Sequence, residues 1–453
     1  MPRLAPLVAA ACLALAVAGS GSAGGAGTWS RVTGSNLTNT DQAGLARSSS
    51  GLHLVWLSKA GAKQDLLETT ISPGGAQGTT GKVVAGWGSL ANGSLVTTSS
   101  GLQAFFAGIR STSTTDPYSS GTVFTATGTS WTLGSGPVAA PSNAYASDLV
   151  AATLEKDGTP VTAWTGTSGF YLHQGVDPAK PNVKVQAACC AYDASLATDS
   201  ATGAVYAAWY SNAAGGYGIH WRRVLPSPGQ DRVLPGSASA DRKSAVSPIQ
   251  AVGIVGRAGA PGVCTAWGLG YPTWKALDVA CTSRAGAVRV WAGPVTHFTV
   301  APALDGRVWA IWSTSSTIYA ARSNRAVTQF GAAVPVAPPA GTSDIWNVTG
   351  DGAASPTAPL DLLASVTKGG IAFWHTQVPP GLTLVVHGKT FAVLDAGDPV
   401  HGAKVQLAGP QAVTLSAPAG TATAGTLAPG RYTATATATG YTTAKASFVI
   451  PKP

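Results

Sequence analysis

The sequence predicts an all-β protein: a β-propeller, with the repeat count pointing to seven blades and six also open, followed by a small β-sandwich. Three observations carry this. A strand-turn-strand unit recurs through residues 28–379 of the 453-residue chain. The aromatic residue that ends each unit recurs about every 45 to 62 residues, the length of one four-stranded blade. Beyond Pro379-Pro380-Gly381, residues 382–451 hold short alternating runs separated by Gly and Pro.

The first 23 residues read as a signal peptide, with Arg3, an apolar run from Leu4 to Val17, and small residues Gly21 and Ala23 placed for cleavage. A lipoprotein reading at Cys12 fits less well, because Leu13 to Val17 continue the apolar run. Export and a secreted, extracellular location are therefore expected, with no membrane span. Loss of the leader would leave 27 Lys and Arg against 19 Asp and Glu. The excess is spread thinly, with Arg222 and Arg223 among few adjacent basic pairs, so no stripe for nucleic acid is present. A hydrophobic fraction of 45% argues against disorder.

The repeat is clearest in SLATDSATGAVYAAWYSN (195–212): strand, polar turn, then an apolar strand ending in an aromatic. The second strand recurs as GLHLVWLS, GLQAFFAG, GTPVTAWTG, GAVYAAWYS, GVCTAWG, GRVWAIWS and GGIAFWHT, anchored by Trp56, Phe106, Trp164, Trp209, Trp267, Trp312 and Trp374. Blades are covered on both faces, so these strands should be apolar on both sides, and the anchors should pack between blades rather than meet a ligand. Third strands follow as DLLETTI, GTVFTAT, FYLHQG, YGIHWRRV, KALDVACTS and TIYAARSN, whereas fourth strands are poorly marked. TWSRVT near the N-terminus should supply an outer strand to the last blade, which shows two clear strands of its own. The C-terminal part reads as seven short strands in 382–451, with TATATAT alternating at period two.

FAVLDAGDPVHGAKVQLAG and LAPGRYTATATATGYTTAKASFVI resemble the carboxypeptidase regulatory-like and related Ig-like repeats of secreted bacterial proteins. The resemblance rests on Asp395 to Ala403, the Pro429-Gly430-Arg431-Tyr432 turn and Gly440-Tyr441, and implies a rigid, non-catalytic accessory domain. Residues 28–380 resemble, in architecture, the secreted sialidase-like (BNR-type) β-propellers. The Asp-box of that family is absent: DSATGAVY and KDGTPVTAW are distant echoes, and the Phe/Tyr-Arg-Ile-Pro motif is missing.

Glycoside hydrolysis generally needs two carboxyl groups, or a Tyr with a Glu partner in sialidases. The chain has two Glu, with Glu68 in an expected third strand and Glu155 in a first-to-second strand turn, so no catalytic residue is assigned. Seven scattered His lack metal-binding spacing, and neither a metal nor another cofactor is expected.

Without the leader, Cys189, Cys190, Cys264 and Cys281 form an even set. With a turn at Tyr271-Pro272-Thr273, Cys264 and Cys281 fall opposite each other on adjacent strands and should be bridged. A vicinal disulfide between the adjacent Cys189 and Cys190 is expected; it would strain the intervening peptide, as functional sites sometimes do. Crossed pairing with the other two cysteines, or free thiols, are the alternatives.

In a propeller the loops leading into first strands and leaving second strands share one face. Cys189, Cys190, Tyr192 and Asp193 are expected in one such loop, with Tyr210, Ser211 and Asn212 beside them. Equivalent positions hold Arg110, Asp116 and Tyr118, then Tyr145 and Asp148, Tyr271 and Trp274, and Asp344 with Trp346. Aromatics with Asn, Asp and Arg around a concavity suit a carbohydrate or peptide ligand. The expected function is thus a monomeric, non-catalytic binding or scaffold protein for an extracellular glycan or peptide/protein ligand. The alternative is a diverged extracellular glycoside hydrolase, sialidase-like, or a lyase. Asn36, Asn92 and Asn347 head sequons that matter only if the host glycosylates them.

Overall fold

A computed structural model describes residues 28–128, 130–139, 149–166, 169–186, 191–211, 213, 216–238, 250–270 and 274–452. No helix occurs among them. Seven antiparallel sheets follow one another in residues 44–87, 89–133, 150–186, 191–233, 254–291, 297–336 and 344–378, numbered here 1 to 7. Each has four strands in chain order except sheet 2, where Ser89–Leu90 and Ser94–Thr98 both pair with Gly101–Ile109, and sheet 7, whose outer strand comes from the N-terminus. That strand is Ser30–Arg31, with Ser30 opposite His375 and Arg31 opposite Trp374. TWSRVT thus pairs where its sequence suggested.

The first strands are Gly44–Ser48, Ser94–Thr98, Val150–Leu154, Ala191–Thr198, Ile254–Gly256, His297–Pro302 and Asp344–Asp351. Each touches the next in chain order, and the seventh touches the first. Glycines permit this close approach: a Cβ on Gly44 would strike the Gly93 carbonyl, and one on Gly256 the Thr198 carbonyl. Second strands are buried on both faces, as an element covered by two neighbours must be; VWAIWS is buried throughout. Trp164, Trp209, Trp267 and Trp312 are no more than 1% exposed. Each contributes about 4–6 kcal/mol from roughly 150–250 Å² of buried surface.

Sheet 7 corrects one expectation. Its second strand is Leu360–Thr367, which lacks an aromatic, and GGIAFWHT forms the third strand, Ile371–Val378. Trp374 is therefore no second-strand anchor; it is half-buried, with the Lys368 ammonium 4.7 Å from its ring. Fourth strands range from two residues in Arg232–Val233 to eleven in Gln77–Trp87, and their scant apolar content explains their weak signal.

The Cys264–Cys281 disulfide is present, the two residues standing opposite each other in the register of sheet 5. Its turn, Tyr271 to Thr273, lies outside the described residues.

Residues 383–450 form two further sheets. One holds Thr383–His387, Thr390–Asp395, Asp398–Pro399 and Thr421–Thr423; the other holds Val413–Ala417, Ala403–Ala408, Gly430–Thr437 and Ala444–Ile450. They share a core that includes Phe391, Val393, Val405, Leu407 and Tyr432. Ala403–Ala408 alternates strictly between buried and exposed, which follows from one face on the core and one in water.

This part is clamped to sheet 6 by buried charge. Asp395 accepts from Arg322 Nε at 3.1 Å and also from Arg322 Nη2, and Arg307 Nη1 lies 3.2 Å away. Arg307 Nη2 donates to Asp398 at 2.6 Å, and Arg322 Nη2 to the Tyr441 hydroxyl at 3.1 Å. Arg322 is 3% and Asp395 1% exposed. Three of the residues on which the C-terminal resemblance rests, Asp395, Asp398 and Tyr441, thus grip the sheet.

Candidate ligand-binding face and central channel

A cavity of about 420 Å³ lies among the first strands of all seven sheets. Its wall is mostly uncharged: glycine, alanine and aliphatic residues with Ser94, Ser195, Thr198, Thr349 and Asn347. Among the described lining residues the one carboxylate is Asp351, which accepts from Arg47 Nε at 2.5 Å. Arg47 Nη2 donates to Asp361 at 2.6 Å, and His375 and Gln377 add hydrogen bonds to Asp361 at 3.0 and 2.9 Å. Burial raises the Asp351 pKa above the usual carboxylate value despite Arg47. Burial acts in the same sense on Asp361, yet its bonds from His375, Arg47 and Gln377 hold it below that value. This network ties sheet 1 to sheet 7, so Asp351 serves a seam.

At the end where the first strands begin, amide side chains cross between sheets. The Gln42 carbonyl accepts from the Ala251 amide at 2.9 Å, while Asn92 accepts from the Gln42 amide at 2.9 Å. Gln250 donates to the Val348 carbonyl at 2.7 Å. These residues were not among those singled out from the sequence. A signal was there, since Gln-Ala precedes the first strand in both Gln42-Ala43-Gly44 and Gln250-Ala251-Val252-Gly253. Asn92 and Asn347, both sequon asparagines, are 6% and 3% exposed, which leaves their side chains no room for a glycan.

The residues expected to bind ligand fall into three groups. Tyr145, Cys189, Cys190 and Asn212 lie outside the described residues, as do Asp148 and Tyr271; of Asp193 only the backbone is described. Tyr192 and Asp193 belong to the first strand of sheet 4 rather than to a loop, where the register shifts between Tyr192 and Ser195. The shift is a bulge, which re-aims side chains at a strand end.

The second group is engaged within the protein, Arg110 in a partly exposed ion pair and Tyr118 and Tyr210 in the core. Arg110 donates to Asp116 from Nε and Nη2 at 2.9 and 2.8 Å and sits 4.3 Å from the Tyr118 ring centroid. Those bonds hold the Asp116 carboxyl below its ordinary pKa. Tyr118 is 7% exposed, packs on Trp87 and Phe124, and donates to the Gly134 carbonyl. Tyr210 is 3% exposed and belongs to the core shared by sheets 4, 5 and 6.

The third group is half-buried at the leading end. Trp274 packs edge-on to Phe298 at 5.2 Å, and Trp346, inside the first strand of sheet 7, donates to Thr367 at 2.7 Å. Tyr192 belongs here too. Near them His297, the first residue of sheet 6, is held neutral by burial, its pKa pushed down to about 4. Among the described residues no three His, Cys, Asp or Glu are grouped to hold a metal ion. Nor is any described helix long and apolar enough to cross a membrane.

No protein-family model matches the chain, and no curated protein sequence does. Solved structures are similar to it at low identity. A protein of unknown function from Dyadobacter fermentans aligns at 11% identity over 77% of this chain and 97% of its own, with a TM-score of 0.44. The polysaccharide lyase Uly1 aligns at 7% identity over 74% of this chain and 89% of its own, TM-score 0.43. A chain from the complex of Drosophila Plexin A with Semaphorin 1b aligns at 8% over 78% and 88%, TM-score 0.41.

Proposed function

We propose that residues 28–379 form a closed seven-bladed β-propeller that acts as a secreted binding or scaffold protein, with residues 382–451 as a rigid Ig-like or carboxypeptidase regulatory-like accessory domain. Cyclic contact of the seven first strands and the pairing of Ser30–Arg31 with the last sheet support closure. The tyrosine hydroxyl of Tyr432 donating to the Ala428 carbonyl at 3.0 Å supports the Ig-like reading, because such a corner recurs in those sandwiches.

The observation that carries the binding function is the channel wall. Ser94, Ser195, Thr198, Thr349 and Asn347 are among the residues that line a space of about 420 Å³, and its carboxylate Asp351 is engaged by Arg47. That volume suits a small ligand. The chemistry suits one rich in hydroxyl or peptide groups: an extracellular glycan or a peptide. Tyr192, Trp274 and Trp346 at the leading end would give apolar sugar faces a surface to stack on.

A glycan-array screen of the mature protein, with and without reductant and with released sugar assayed for every hit, tests this. Binding without release, weakened by Trp274→Ala or Trp346→Ala, is the expected result. Release of sugar would replace binding by hydrolysis or lysis. An absence of glycan binding would move the reading to a protein partner.

A further inference from the structure

At the far ends of the strands from that face, the turn between the first two strands of sheet 1 brings a serine, a histidine and a glutamate into line. Ser48 pairs with Gly51 across the turn. The Ser48 Oγ accepts from the Ser50 amide at 3.1 Å and lies 2.8 Å from the Ser50 Oγ. Both hydroxyls reach His53 Nε2, Ser48 at 2.8 Å and Ser50 at 3.0 Å. The other ring nitrogen, Nδ1, is 2.8 Å from Glu68 Oε1, and the Thr70 hydroxyl donates to that same oxygen at 2.9 Å. His53 is 7% and Glu68 9% exposed, whereas Ser50 stands open to solvent.

Sheet 2 shows that the turn does not need this chemistry. There Thr98 accepts from the Ser100 amide at 3.2 Å, and the two hydroxyls are 2.9 Å apart. The register puts Gln103 where sheet 1 has His53, and Thr125 where it has Glu68. Gln103 donates to Thr125 at 3.1 Å, a neutral pair that holds the same positions. The turn is a device of the fold; sheet 2 keeps it without the ionisable pair that stands behind it in sheet 1.

We propose that Ser50 is an activated nucleophile, with His53 as its general base and Glu68 as the residue that positions the imidazole, and that it accepts acyl groups from small activated esters. A hydroxyl within hydrogen-bond reach of a base that is itself oriented by a third group is the arrangement such activation requires. In the step, Ser50 Oγ attacks the ester carbonyl carbon and its proton passes to His53 Nε2. The carbon–oxygen bond to the alcohol breaks, and that alcohol leaves with the proton from His53. Water then hydrolyses the acyl-serine, giving the acid and restoring the hydroxyl. The site lies on an open turn, so the substrate is small or at the exposed end of a larger molecule. The inference stands independently of the binding face.

A fluorophosphonate tests it, because the serine oxygen displaces fluoride at phosphorus and keeps a stable label. Peptide mapping of the full chain compares Ser50 with Ser100 in the same folded molecule. The expected result is labelling of Ser50 at least about 100-fold faster than Ser100, the contribution typical of a positioned general base. His53→Gln, which installs the residue of sheet 2, should bring Ser50 down to the Ser100 rate. Glu68→Gln should slow labelling and displace its pH profile. Ser50→Ala should remove the label and leave the thermal melt unchanged. Equal rates at Ser50 and Ser100, or labelling indifferent to His53→Gln, would overturn the proposal. Label on Ser48 would overturn the choice of nucleophile.

Discussion

Replacing Asp395 by Ala should separate the C-terminal sheets energetically from sheet 6. Two guanidinium groups converge on this carboxylate, Arg322 Nε at 3.1 Å and Arg307 Nη1 at 3.2 Å. Each attraction is worth about 5 kcal/mol at an effective dielectric of about 20, before the opposing cost of dehydrating three charges. That cost makes the intact cluster a weak net stabiliser and the broken one a strong destabiliser. Without Asp395, Arg322 keeps the Pro356 carbonyl and the Tyr441 hydroxyl, and Arg307 keeps Asp398 and the Ser323 carbonyl. Two buried cations would then face each other with one carboxylate fewer. The expected loss is about 3–5 kcal/mol, read from guanidinium chloride unfolding as the stability of the transition that includes this contact. Pairing Asp395→Ala with Arg322→Met should recover part of the loss, because the second change removes one stranded charge. A loss below about 1 kcal/mol for Asp395→Ala would show the cluster to be solvated and refute the reasoning.

Other expectations concern seams, protons and covalent closure. Arg47→Ala should cost about 3 kcal/mol or more by leaving the buried Asp351 and Asp361 without their shared cation at the seam of sheets 1 and 7, checked by urea unfolding. The Asp361 pKa lies below its unfolded value of about 3.9, so its contribution is full above that pH and disappears as pH falls through the folded value; Asp361→Asn should flatten that acid limb. His297 titrates at about 4 in the fold, against about 6.5 unfolded. Its neutral burial therefore favours the fold above pH 6.5 or so, and up to about 3 kcal/mol is lost as pH falls from there toward 4. His297→Gln should remove this slope from stability measured across that window. Replacing Cys264 and Cys281 together by Ser should cost about 3 kcal/mol in the chain-entropy account, and a reductant should lower the melting temperature of the unaltered protein but not of that variant.

Much of the fold was legible because large apolar side chains repeat where burial demands them. VYAAW and VWAIW announce a strand covered on both sides, and the facing positions of Cys264 and Cys281 follow from a turn placed at Pro272. In sheet 7 the aromatic signal lies one strand out of step, since the covered second strand uses Leu and Val while Trp374 sits on the third. Fourth strands escaped because a two-residue edge such as Arg232–Val233 has no pattern to show. The candidate site was less legible. Tyr118 and Tyr210 looked like loop aromatics, yet an aromatic next to an apolar strand fills the core first. The crossings by Gln42 and Gln250 depend on backbone groups far away in the chain, which no local run can specify. His53 and Glu68 were scattered residues until the pairing of their strands set them side by side.

The short strand Ser30–Arg31 also governs the order of assembly. It leaves the ribosome before any of the seven sheets, but its partner, Ile371–Val378, is made after nearly all of them. Once made, and until the two meet, the outer edge of that partner has unpaired amides and carbonyls, an invitation to pair with another chain. Joining two segments so far apart also makes this one of the slowest contacts to form. Aggregation during synthesis should therefore hinge on two residues that contribute little to the core, and an excess of a peptide spanning Thr28 to Thr33 should suppress it by occupying the waiting edge.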